Sequence, residues 1–257
     1  MATMRMTKSA NAISLLILGL SGLFIFLPLI AATEFSLRKG GPDNHSFDAY
    51  IWIWQQDGFL ENLGITASIT IVAVALNLIL MVPTMAWLNM YGQKWRRVVE
   101  VITILPLIIP VVALATGAAL AFPSFLQMSR YELSAMYVVL AMPFTYRALD
   151  IGMKNIGLQT LTEAGRNLGA SWIAVIVKII APVIAPSVFA ATFLSVALSL
   201  GEFTLAQLLH WTTFPTWVAS VSQQNILGAT ALSVGSLIFA WLLLFSFTFL
   251  DRKKSKE

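Results

Sequence analysis

The sequence predicts an all-α integral membrane protein with six transmembrane helices and both termini on the cytoplasmic side. Three observations lead there. The 257 residues are 58% hydrophobic and only 11% charged, whereas an ordinary soluble domain is about 25% charged, so lipid must replace water around much of the surface. Six segments, 12–32, 64–88, 98–122, 133–149, 183–203 and 229–250, approach the ~20 apolar residues that cross the hydrocarbon core. The basic residues also sort by side. With the N-terminus inside, the inner segments hold Arg5, Lys8, Lys94, Arg96, Arg97, Arg147, Lys154, Arg166, Lys178, Arg252, Lys253, Lys254 and Lys256, and the outer ones only Arg38, Lys39 and Arg130. That asymmetry is the positive-inside pattern and accounts for the net charge of +4 without nucleic acid as a partner. The chain reads as one membrane domain over 1–257.

The first segment has the basic start of a signal peptide, and "LIAAT" resembles a cleavage site. Its apolar stretch is longer than a usual signal core, and cleavage would leave five spans, so it is read as a retained helix. The outer segment 33–63 carries "KGGPDN" as a turn. Trp52 and Trp54 follow it, as interface anchors or as contacts for an external partner. In the third segment, Pro106 and Pro110 stand one turn apart in "ILPLIIPVVALATG" and predict a kinked helix. The fourth is short and ends in Pro143 and Arg147. The segment 204–228, with His210, Trp211, Pro215 and Trp217, is expected to dip toward the membrane from outside. Without cysteine, and with only His45 and His210 far apart, the chain has no disulfide framework and no evident metal set.

The stretch between the fourth and fifth spans, "TEAGRNLGASWIAVIVKIIAP", is polar for its surroundings. Thr160 and Glu163 have the spacing of a capping box. Leu158, Leu161, Gly165, Leu168 and Trp172 fall near one helical face, and Glu163 can pair with Arg166. Gly169 permits a turn and Ser171 can cap a second short helix. An amphipathic helix lying on the inner leaflet has the same pattern.

Glu163-Ala164-Gly165, three residues, Gly169, nine residues, Ile179, one residue and Ala181-Pro182 resemble the "EAA" loop of binding-protein-dependent ATP-binding-cassette importer permeases. Gly165 stands where that family has a second Ala, and Ala181 where it has Leu. The resemblance extends through the six-span layout. It implies a multi-pass permease subunit of a bacterial cytoplasmic membrane, with a coupling helix between spans four and five (about 155–182). Leu161, Glu163, Ala164, Gly165, Arg166, Leu168 and Gly169 would seat that helix on an ATPase. The implied partners are a second permease subunit, identical or related, two ATPase subunits that bind ATP and Mg, and an extracytoplasmic substrate-binding protein. The chain itself has no phosphate-binding loop, since Lys8-Ser9 and Lys254-Ser255 lack the required glycines. It is expected to be non-catalytic and to carry no cofactor.

Thr192, Ser195, Ser199 and Glu202 recur at steps of three and four in the fifth span, as a polar path or as packing residues. Mid-span Asn77 needs an interior partner. The "SLGEFTLAQLL" stretch is similar to the branch importing polyamines, iron, thiamine or phosphonates. Glu202 beside Phe203 favours a polyamine. A secondary transporter leaves the Glu163–Pro182 pattern unexplained, and an integral-membrane enzyme needs clustered ionisable groups, where only isolated ones such as Glu100 stand out.

Overall fold

The computed structural model describes residues 8–39, 41, 44–154 and 156–254, with side chains between Ser14 and Leu242. Arg5, Lys256 and Gly40, Pro42 and Asp43 of the expected turn lie outside the described residues. Among the described residues thirteen α-helices follow in order: α1 (Lys8–Ser36), α2 (Asp48–Trp54), α3 (Phe59–Met90), α4 (Arg96–Ile108), α5 (Val111–Ala121), α6 (Ser124–Gln127), α7 (Tyr131–Met153), α8 (Leu158–Asn167), α9 (Trp172–Val175), α10 (Ala181–Gly201), α11 (Thr204–Leu208), α12 (Phe214–Ser222) and α13 (Ile226–Lys254). A π-helical segment, Ile176–Ile180, joins α9 to α10. Among the described residues the sole bridge between extended residues pairs Arg38 with His45. An all-helical chain with apolar spans follows from the lack of backbone partners in hydrocarbon.

The contacts divide the chain into two compact units, one built of residues up to Phe59 with Val218–Arg252, the other of Leu60–Trp217. In the first unit, α1 runs as one helix through Pro28. The Arg38–His45 bridge leads into α2. Lys39 and Asp48 form an ion pair across this hairpin, both about half exposed. The lysine ammonium, bonded to the carboxylate, holds the Asp48 carboxyl below the usual aspartate range. Trp52, expected as an anchor or an external contact, lays its ring on Gly228 of α13, where any β-carbon would collide with it. Trp54 is 73% exposed and meets Phe59 edge-on at 5.1 Å.

Among the described residues, three helices are long and apolar enough to cross a membrane: Ser14–Ser36, Phe59–Met90 and Trp172–Gly201. The pair Gln93–Ile108 and Val111–Ala121 makes a fourth if counted as one broken span. This pair corrects the expected third span. It is not one kinked helix but two helices bent by 106°. Pro106 stays inside α4, while Ile109 is extended (φ −76°, ψ 129°) and Pro110 follows at φ −56°, ψ 137°. A residue before proline is pushed out of the helical region, so the break falls at Ile109. α7 and α13 occupy the fourth and sixth expected segments. α7 falls short on apolarity because it carries polar side chains, several of which it turns inward: Glu132, Ser134 and Thr145 are all buried.

Two apolar cores stabilise the second unit. One gathers Met81, Met85 and Leu88 of α3, Tyr146, Leu149 and Met153 of α7, Leu158 of α8, Val175, and Ile180 and Ile184 at the start of the fifth span. The other gathers Ile69, Ala73, Ala115, Ala118, Leu133, Met136, Tyr137, Leu205 and Ala206. α7 and α10 approach closely enough that a β-carbon on Gly152 would overlap Ser187.

Candidate functional site

α8 begins at Gly157, which takes the left-handed conformation at φ 62° and provides no side-chain cap. This replaces the expected capping box: Thr160 lies inside the helix, and the Glu163 carboxylate accepts a hydrogen bond from Gln159 at 2.9 Å. The Glu163–Arg166 pair does not form either. Arg166 instead donates to the Ala170 carbonyl at 2.9 Å and stacks over the Trp172 ring at 5.3 Å. A backbone acceptor together with an aromatic face holds a planar guanidinium more firmly than one exposed carboxylate does.

The end of α8 follows local chemistry. Gly169 at φ 82° donates to Arg166 O at 3.0 Å, and Ala170 donates to Gly165 O at 3.1 Å, the paired bonds of a Schellman stop. The Ser171 hydroxyl then accepts from the Ala174 amide at 3.2 Å, as expected of a cap. The second short helix is not separate, however. α9 passes through the π segment into α10, so Trp172–Gly201 is one 30-residue helix. Pro182 has no N–H for the Lys178 carbonyl, which favours the wider π turn beneath it.

The faces of α8 also differ from expectation. Leu158, Thr162 and Gly165 are buried and Leu161 is half-buried, packed toward the π segment. Leu168 is 88% exposed and stands outward with Glu163, Ala164 and Asn167. Thr162 bonds Leu158 O at 2.7 Å and points at Met90 Sδ at 3.4 Å.

A second polar group sits within the bundle. The Asn77 amide donates to Thr145 at 2.7 Å and to Ser195 at 2.8 Å, and the two hydroxyls lie 3.1 Å apart. Asn77 thus finds its interior partners, one on α7 and one on α10. Ser195 and Ser199 are each 1% exposed, and Thr192 bonds Val188 O at 2.8 Å. Ser195 and Ser199 are thus buried within this chain. Thr70 Oγ1, Asn77 Oδ1 and Ser199 Oγ are buried without a hydrogen-bond partner from the protein. Glu202 ends α10 and caps α11, accepting from the Leu205 amide at 2.9 Å and the Ala206 amide at 3.4 Å.

Two features escaped the sequence. Glu132, 4% exposed, accepts from the Trp211 indole at 3.1 Å and so ties the 204–217 segment to α7. Glu100 is not isolated: it lies 3.8 Å from Arg147, and Arg96 pairs with Asp150, so α4 and α7 share two ion pairs. The 54-residue separation within Arg96–Asp150 leaves no local signal.

The chain belongs to the binding-protein-dependent transport system inner membrane component family, whose model matches residues 79–255. It is a membrane protein of a transport-permease family. Curated relatives include the putative 2-aminoethylphosphonate transport system permease protein PhnV of Salmonella typhimurium and of Salmonella choleraesuis. Each is 26% identical over 164 residues, 61% of this chain. The match spans 62% of the length of those relatives. A solved bacterial ABC transporter involved in the import of the acidic polysaccharide alginate contains a chain of the same fold, with a TM-score of 0.65 at 16% identity, covering 95% of this chain and 99% of that one.

Proposed function

We propose that this chain is one permease subunit of an ATP-driven importer in a bacterial cytoplasmic membrane, crossing it six times with both termini inside. It works with a second permease subunit, two ATPase subunits and an extracytoplasmic substrate-binding protein. ATP and Mg belong to the ATPase. The observation that carries this reading is α8. It is pinned by its buried face to the base of the long Trp172–Gly201 helix, while Glu163, Ala164, Asn167 and the 88%-exposed Leu168 point away from the chain. An exposed leucine beside a carboxylate on a rigidly stopped helix suits a groove on a partner protein. An amphipathic helix lying on lipid would instead turn its apolar residues to one face.

The substrate we assign is a small organophosphonate bearing an amine, ahead of the polyamine that Glu202 and Phe203 suggested. Glu202 is engaged as the cap of α11 and is poorly placed to attract a diamine, and the matched relatives carry the name putative 2-aminoethylphosphonate transport system permease protein. Purification of the assembly from a strain expressing the ATPase tests the coupling: Leu168→Asp should leave the permease folded and release the ATPase. Retention of the ATPase by that variant would overturn the assignment of α8. Uptake of labelled 2-aminoethylphosphonate against labelled putrescine tests the substrate.

A further inference from the structure

The hydrogen-bonded Asn77, Thr145 and Ser195 fix the register of three helices, and counting from them places other residues by depth. At about 1.5 Å per residue, Ala73, Ala141 and Ser199 are each four residues away, about 6 Å toward α11. Thr70, Tyr137 and Glu202 are seven or eight residues away, about 10–12 Å in the same direction. The placement agrees with Tyr137 lying beside the Glu202 carboxylate. The middle level therefore holds two alanines, 2% exposed each, and a serine, 1% exposed. Ser199 Oγ has no hydrogen-bond partner, nor has Asn77 Oδ1 below it, nor Thr70 Oγ1 above it. Three helices thus surround a level of small side chains with acceptors and donors that the protein leaves unmatched.

We propose that this level is a water-binding chamber. One or a few water molecules bridge Asn77 Oδ1, Ser199 Oγ and Thr70 Oγ1, and the file ends at Glu202, which is partly exposed. The chemistry is that of water alone. Ala73 and Ala141 bring only methyl groups to the level, the unmatched polar atoms stand at, below and above it, and a water making two to four hydrogen bonds matches the orphans at hand. Such a joint lets α10 exchange partners with α3 and α7 without leaving a polar group bare.

X-ray radiolysis footprinting of the permease in lipid nanodiscs tests this on the unaltered chain. Hydroxyl radicals form where water is bound. Tyr137, although 1% exposed at the edge of the second core, should therefore be labelled several-fold faster than Met85, which is 0% exposed in the first core and far from the unmatched atoms of Thr70, Asn77 and Ser199, after correction for intrinsic reactivity. Equal protection of the two residues overturns the proposal. Ser199→Ala and Thr70→Val give a second reading. Removing a water-bonded hydroxyl lowers the melting temperature, whereas removing a dry orphan raises it, and a rise in both variants likewise overturns the chamber. Ala73→Leu, which fills the level, should reduce Tyr137 labelling and leave Met85 unchanged. Unchanged Tyr137 labelling in a folded Ala73→Leu protein counts against the chamber.

Discussion

Gly165 faces Ile179 so closely that a β-carbon on the glycine would lie 2.6 Å from Ile179 Cδ1, with Val175 Cγ2 at 3.3 Å. The spacing of α8 from the π segment is therefore set by the absence of a side chain at one position. Cδ1 is the far end of a flexible chain, so a single methyl is accommodated by a rotamer change, while a branched side chain is not. Gly165→Ala should cost no more than about 1 kcal/mol and Gly165→Val about 1–3 kcal/mol. Thermal unfolding of the two variants in nanodiscs checks the order. Equal melting temperatures for both would show that the contact is slack.

Asn77 is expected to behave as a clamp rather than as a ligand for cargo. Asn77→Leu removes both bonds of the amide, while Thr145 and Ser195 keep each other and Ser195 keeps the Ala191 carbonyl, for a loss of about 1–2 kcal/mol. Because Thr145 and Ser195 share the same amide, the effects of Asn77→Leu and Ser195→Ala should be less than additive. A double-mutant cycle on melting temperature measures the coupling, and strict additivity would contradict the triad.

Glu202 should matter through its position and not its charge. Glutamine keeps an oxygen for the Leu205 amide, so Glu202→Gln should retain stability and uptake, while Glu202→Ala loses the α11 cap at about 1 kcal/mol. Transport assays on the two variants distinguish capping from cargo recognition: a collapse of uptake in Glu202→Gln alone would assign the charge to the substrate.

The Lys39–Asp48 pair gives a pH dependence with a defined sign. The ammonium holds the Asp48 carboxyl below the usual aspartate range. Its stabilisation is therefore complete above the unfolded-state value and fades as pH falls through the lowered folded value. With both side chains 57% exposed, the effect is small and screened by salt. Carbon-13 titration of the Asp48 carboxyl should show a midpoint below that of an unstructured peptide, returning to it in Lys39→Met.

What could be read from the sequence was local. The turn at Gly169 and the cap at Ser171 both depend on neighbours within four residues, and both formed as expected. The capping box at Thr160 failed because Gly157 entered the left-handed region three residues earlier, a choice that competes within the same turn. The Pro106/Pro110 pair marks a disturbed third span in the sequence, but whether a proline kinks a helix or ends it depends on the residue before it, and Ile109 takes the extended state. The Glu132–Trp211 bond joins residues 79 positions apart, and no periodicity carries that information. Leu168 shares a face with Leu158 and Leu161 only if the helix continues regularly; at the Schellman stop it turns outward instead.

The π segment has a consequence for comparison and for engineering. A π turn accommodates one residue more than an α turn over nearly the same rise. Everything after Ile180, the hydroxyls of α10 included, is therefore rotated by about 100° from where an unbroken α-helix starting at Trp172 would place it. Excising a single residue from Ile176–Ile180 would let the helix rewind and swing α8's seat around the axis while Ser195 stays clamped to Asn77. One deleted codon at the exposed Val177 would then misalign the two ends of this lever while leaving Ile179 and Ile180 in the chain.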